Sequence, residues 1–170
     1  MATPPKKVTI ILVRGLLGMI YSRGMDTLAA KLRADGYNTQ VWNHSPFFLF
    51  WFAYKEEIAA EIERLQKAGQ TVVLVGHSFG ANVLLMALRL TRAVVPLLVA
   101  VDPAAQYDTT VPRNVGRAIG IRQNIGAIGR GRLLPTSDPR ITDVLLNEAH
   151  TYLDDDPRVH NRVIAEIMKL

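Results

Sequence analysis

Along the chain, unbroken aliphatic runs alternate with stretches in which apolar residues recur every three or four positions. Val8 to Val13 is a continuous β-branched and aliphatic run closed by Arg14-Gly15, the pattern of a strand covered on both faces. From Ser22 to Ala34 the residues Met25, Leu28, Ala29 and Leu32 share one helical face, and Gly36 stops the helix. Tyr37 to Trp42 predicts a second strand, bounded by Asn43-His44-Ser45-Pro46. A second helix is expected to begin between Pro46 and Tyr54 and to run to about Lys67, with Glu63 and Lys67 as a favourable pair one turn apart. Thr71 to Val75 reads as a third strand and Leu97 to Val101 as a fourth; a fifth is expected within Val115 to Ile121 and a sixth within Ile141 to Leu146. Between the third and fourth strands runs an almost wholly apolar helix, ending near Thr91, which must be buried around most of its girth. Pro157 to Met168 predicts the last helix, with Asp156 as its N-cap and Pro157 at its first position. Ile125 to Pro139, rich in glycine and arginine, reads as a long surface loop.

Strands alternating with helices imply an α/β fold, a three-layer αβα sandwich with a mostly parallel sheet of about six strands. At 170 residues the chain fits a single domain, residues 1–170. Hydrophobic residues at 49% and charged residues at 21% are the balance of a globular protein. The absence of cysteine excludes disulfides and thiolate chemistry. No signal-peptide core or apolar stretch of membrane-spanning length stands out, so a cytoplasmic protein without a membrane span is expected. The net charge of +5 draws heavily on Arg113, Arg117, Arg122, Arg130, Arg132 and Arg140. No aromatic residues interleave them, so a solvated basic face is expected and nucleic acid is not. No paired histidine motif suggests a metal, no nucleotide-binding loop is present, and no cofactor is expected.

Chemistry is concentrated in Gly76-His77-Ser78-Phe79-Gly80, between the third strand and the apolar helix. A G-x-S-x-G pattern is weak alone, but a strand before it and a helix after it make it specific. The turn forces the serine into a strained backbone, and side chains at 76 and 80 would collide with the neighbouring strand and helix. Ser78 then stands clear at the carboxyl end of the sheet, with the positive end of a helix beside it.

With this motif on its strand and helix, the chain resembles the α/β-hydrolase superfamily, in particular its small lipase and esterase members lacking the first strands. The resemblance runs from the Val8 strand to the final helix. It implies a chain order of nucleophile, acid and histidine, and hence Ser78 activated by a base that an acid orients. After Ser78 only His150 and His160 remain. His150 lies in a loop ahead of the final helix, where the superfamily places its base; His160 lies inside that helix. For the acid, Val101-Asp102-Pro103-Ala104 resembles the Leu-Asp-Pro-Ala segment of pancreatic-type lipases, whereas most of the superfamily takes its acid one strand later, where Asp138 is available. The oxyanion hole implied by the resemblance uses the N–H groups of Phe79 and of the loop after the first strand, at Leu16. Many relatives have His-Gly there, and this chain has Arg14-Gly15.

Half of the chain's aromatic residues lie between Phe47 and Tyr54. They suit either core packing or an apolar wall beside Ser78, in which Leu17, Phe47, Phe48 and Trp51 would contact an acyl chain. The expected activity is hydrolysis of a small-molecule carboxylic ester, as an esterase or lipase-like serine hydrolase. A thioesterase or amidase would use the same residues, and a catalytically silent binding protein or a basic nucleic-acid-associated module are the readings from other classes.

Overall fold

The computed structural model describes residues 7–16, 22–43 and 53–170. Six strands, β1 (Val8–Val13), β2 (Asn38–Trp42), β3 (Thr71–His77), β4 (Val95–Val101), β5 (Val115–Gln123) and β6 (Ile141–Leu146), form one sheet in the order β2-β1-β3-β4-β5-β6. Every pairing is parallel, a stricter result than the mostly parallel sheet expected. The described helices are α1 (Gly24–Ala34), α2 (Lys55–Lys67), α3 (Phe79–Arg89), α4 (His150–Leu153) and α5 (Pro157–Ile167).

Strand alternation divides the core in two. Ile10 and Leu12 of β1 and Val73 and Val75 of β3 pack with Met25, Leu28 and Leu32 of α1 and Val159 and Val163 of α5. The intervening residues Ile11, Val13, Val72 and Leu74 face Ile58 and Ile62 of α2 and Leu84, Leu85 and Leu88 of α3. Both faces of β1 and β3 are therefore covered, which is why their sequences are continuous apolar runs rather than alternations. Asp156 caps α5 by accepting the N–H of Arg158, as its position before Pro157 predicts.

Three differences from the sequence reading bear on the site. β4 begins at Val95 rather than Leu97 and contains Pro96; pairing with β3 starts only at Leu97, so the missing N–H interrupts no bond on that side. His150 opens the short helix α4 instead of lying in open loop. The segment 125–139 has no strand or helix, but it is not simply a surface loop. Leu133 is buried in the core, and isolated bridges join Ala104 to Arg130 and Thr110 to Leu134. Its glycines let the chain pass close under the end of β4. Among the described residues, no helix is long and apolar enough to cross a membrane.

Candidate active site

The strand order decides what meets what. β1, β3 and β4 are neighbours, so the residues leaving their carboxyl ends, Gly15, Ser78 and Asp102, converge. Ser78 adopts φ 54° and ψ −131°, a conformation that costs on the order of 1–3 kcal/mol outside glycine and persists only where the surroundings enforce it. The surroundings do so through packing. A β-carbon at Gly76 would lie 2.7 Å from the Ala81 backbone, and one at Gly80 would overlap the carbonyls of Val13 and Arg14. The Ser78 N–H donates to the Val101 carbonyl at 2.8 Å, which pins the turn to the end of β4.

His150 arrives from beyond β6. Its Nε2 lies 3.0 Å from Ser78 Oγ and its Nδ1 lies 2.6 Å from Asp102 Oδ2. Asp102 is fully buried with φ 46°, a backbone region that aspartate tolerates better than most residues. Its second oxygen, Oδ1, accepts the N–H of Arg130 at 2.8 Å and that of Gln123 at 3.3 Å. A buried carboxylate would be costly without such donors; here both oxygens are engaged.

Asp138, the alternative acid, is placed elsewhere. It precedes β6 whereas His150 follows it, so the two lie toward opposite ends of that strand. Its carboxylate is bonded to Arg140 at 2.6 Å, which holds it below the usual carboxylate range. His160 is buried in α5, with Nε2 2.7 Å from the Asp154 carbonyl and Nδ1 2.9 Å from Lys31 Nζ. Arg14, which stands where many relatives have histidine, pairs with Asp26 of α1 and donates to Asn43 Oδ1 at 3.1 Å.

Several contributors were not legible in the motif. Asn82, wholly buried on α3, donates to the Ala104 carbonyl and accepts the Ala104 N–H, fixing the chain just past Asp102. Gln123, also buried, accepts the N–H groups of Ile125 and Gly126 and donates to the carbonyls of Gly126 and Ile128. It folds the start of the glycine-rich segment so that Arg130 reaches Asp102. A glutamine two residues beyond the apolar stretch Ile119 to Ile121, at the end of β5, was the available signal. Of the basic segment, Arg117 pairs with Glu166, Arg122 and Arg132 with Asp143, and Arg140 with Asp138. Much of that charge is met within the protein.

Around Ser78 and His150 lies a cavity of about 810 Å³ whose described walls include Leu16, Phe79, Ala104, Tyr107, Ile128 and Thr151. Phe79 and Tyr107 pack with ring centroids 4.8 Å apart. Leu17, Phe47, Phe48 and Trp51, expected to contact substrate, lie outside the described residues.

The model of the alpha/beta hydrolase family matches residues 10–168. The chain belongs to that family. No curated protein matches the chain significantly. Solved structures share the fold at low identity. The esterase domain of a Rhodothermus marinus protein aligns with a TM-score of 0.73 and 13% identity, over 99% of this chain and 89% of that one. An alpha-beta serine hydrolase homologue from Coxiella burnetii gives 0.72 and 16%, over 95% and 86%. A Xanthomonas campestris protein described as an a/b serine hydrolase without lid gives 0.71 and 18%, over 99% and 86%. These neighbours share the fold, and membership of the alpha/beta hydrolase family supports hydrolase activity.

Proposed function

We propose that the protein is a serine hydrolase that cleaves carboxylic esters through an acyl-enzyme on Ser78. The observation that carries this reading is the hydrogen-bonded line from Asp102 through His150 to Ser78 in the wall of an apolar cavity. A serine hydroxyl needs an adjacent base to attack at neutral pH, and the base needs a fixed tautomer. Asp102 accepts the Nδ1 proton of His150, leaving Nε2 with its lone pair toward Ser78. In the first step Ser78 Oγ bonds to the acyl carbon and His150 Nε2 takes the hydroxyl proton. His150 then gives that proton to the departing alcohol as the ester C–O bond breaks. Water repeats the sequence, losing its proton to His150 and releasing the acid and Ser78.

The negative charge on the acyl oxygen is assigned to the N–H groups of Phe79, at the first position of α3, and Leu16, in the turn after β1. One such donor contributes on the order of 2.7–4 kcal/mol to transition-state stabilisation. The described cavity walls carry no aspartate, glutamate, lysine or arginine, which favours a neutral ester with an apolar acyl group over a charged one.

Labelling with a fluorophosphonate tests the nucleophile: the wild type is expected to label, and Ser78→Ala and His150→Ala are not. Labelling that persists in folded Ser78→Ala overturns the assignment, and a wild type that does not label favours a binding protein. Paired ester, thioester and amide substrates with one acyl group then identify the leaving group; faster turnover of the ester is expected.

A further inference from the structure

Behind the proposed reacting groups lies a second chain of buried polar contacts. His77 is 2% exposed and forms no part of the line from Asp102 to Ser78. Its Nε2 lies 3.1 Å from the backbone carbonyl of His150, and its Nδ1 lies 2.7 Å from the hydroxyl of Ser22, itself 1% exposed. A carbonyl only accepts, so Nε2 carries the ring proton and Nδ1 must accept from Ser22. Ser22 Oγ in turn accepts the Gly15 N–H at 3.1 Å. The donors therefore run one way: Gly15 N–H to Ser22, Ser22 O–H to His77, His77 N–H to the His150 carbonyl. The ring is neutral, since burial foremost and the neighbouring His150 ring next lower it to about 3.

We propose that His77 is a positioning residue for the ester hydrolysis proposed above, binding the Gly15–Leu16 turn, the Ser78 turn and the backbone of His150 into one unit. These three segments carry, in that reading, the oxyanion donor, the nucleophile and the base, and they leave three different strands. His77 precedes Ser78 in the chain, so its backbone belongs to the nucleophile's turn while its side chain reaches both other segments. The His77 and His150 rings also lie 5.0 Å apart at 33°, so the ring supports the base by packing as well as by its bond. Nothing in this arrangement needs His77 to exchange a proton. Its work is to fix the spacing between the site that stabilises charge and the group that moves the proton, where a misplacement of about 1 Å can cost about a hundredfold in rate.

The test compares His77→Leu, His77→Gln and Ser22→Ala with the wild type. Leucine fills the space and makes neither bond. Glutamine's amide offers one donor and one acceptor, spaced much like the two ring nitrogens. His77→Leu is expected to lower kcat about tenfold to a hundredfold with KM little changed, and His77→Gln to recover most of that loss. The low-field proton resonance of the His150–Asp102 hydrogen bond should be sharp in the wild type and His77→Gln and broadened in His77→Leu. Should His77→Leu not fold, Ser22→Ala, which removes only the bridging hydroxyl, carries the test and should lower kcat in the same way. A folded His77→Leu or Ser22→Ala variant with wild-type kcat and an unchanged low-field resonance, beside a wild type that labels with fluorophosphonate, overturns the role of His77 alone. A wild type that does not label removes the hydrolase reading itself, and the role of His77 with it.

Discussion

Gly129 lies against Asp102 with no room for a side chain between them. A β-carbon at 129 would stand 2.7 Å from Asp102 Cγ and 2.6 Å from His150 Nδ1, and the residue also has φ 79°. The glycine-rich segment after β5 thus approaches Asp102 at a place where only hydrogen fits.

Gly129→Ala should therefore separate the acid from the histidine. A loss of about a hundredfold in kcat is expected, with about 1–2 kcal/mol of added backbone strain. The sheet does not depend on this position, so the circular dichroism spectrum should stay native. Ester turnover measured beside a thermal melt distinguishes a damaged site from a damaged fold.

Asp102→Asn should be more harmful than its small change of shape suggests. Oδ1 is committed to the N–H groups of Arg130 and Gln123, so an amide keeps its oxygen there and turns its NH₂ toward His150. Nδ1 must then accept, and the ring proton moves to Nε2, facing Ser78. Asparagine tolerates the positive φ of this position, so the variant should fold. A fall in kcat of about ten-thousandfold is the expected result.

How far the sequence foretold this arrangement differs from element to element. Val8–Val13 and Thr71–Val75 announced themselves because burial on both faces demands unbroken apolar runs. The turn at Ser78 was equally plain, since its two glycines stand at a recognisable spacing between strand and helix, although Gly76 is crowded by Ala81 nearby and Gly80 by the distant carbonyls of Val13 and Arg14. The choice between Asp102 and Asp138 was not. Both precede a proline and suit a turn; what decides is that Asp102 leaves the carboxyl end of β4 whereas Asp138 lies just before β6, at the end away from His150. Asn82 was hidden because it answers to the backbone of Ala104 on another segment, Gly129 because it is crowded by the side chains of Asp102 and His150, and Gln123 because its bonds to residues 125–128 follow no periodicity.

The acid side of stability should divide between two buried groups. Burial raises the Asp154 carboxyl from 3.8 to about 6. Such a group stabilises the fold fully below its unfolded value, and that contribution is lost as pH rises through about 6. His77, lowered from 6.5 to about 3, acts oppositely: its contribution is present above 6.5 and is lost as pH falls toward 3. Asp154→Asn should thus be more stable than the wild type above about pH 6, with the gain vanishing near pH 4. It should also lose stability on acidification more steeply. Urea melts between pH 4 and pH 8 measure both effects.

The apolar cavity predicts a chain-length preference. Ile128 lines it while remaining 68% exposed, so its side chain can change without disturbing the core. For the wild type, kcat/KM should rise from acetyl to octanoyl esters. Ile128→Asp should lower the octanoyl value about tenfold and leave the acetyl value nearly unchanged. A flat or declining wild-type series would argue against an acyl-binding wall.

Ser78 and His150 stand 72 positions apart, with β4, β5 and β6 laid down between them. On the ribosome the serine emerges long before its partner, as an unremarkable alcohol on an incomplete sheet. In the reading proposed above, the pair can react only once β6 has docked and brought the imidazole beside the hydroxyl.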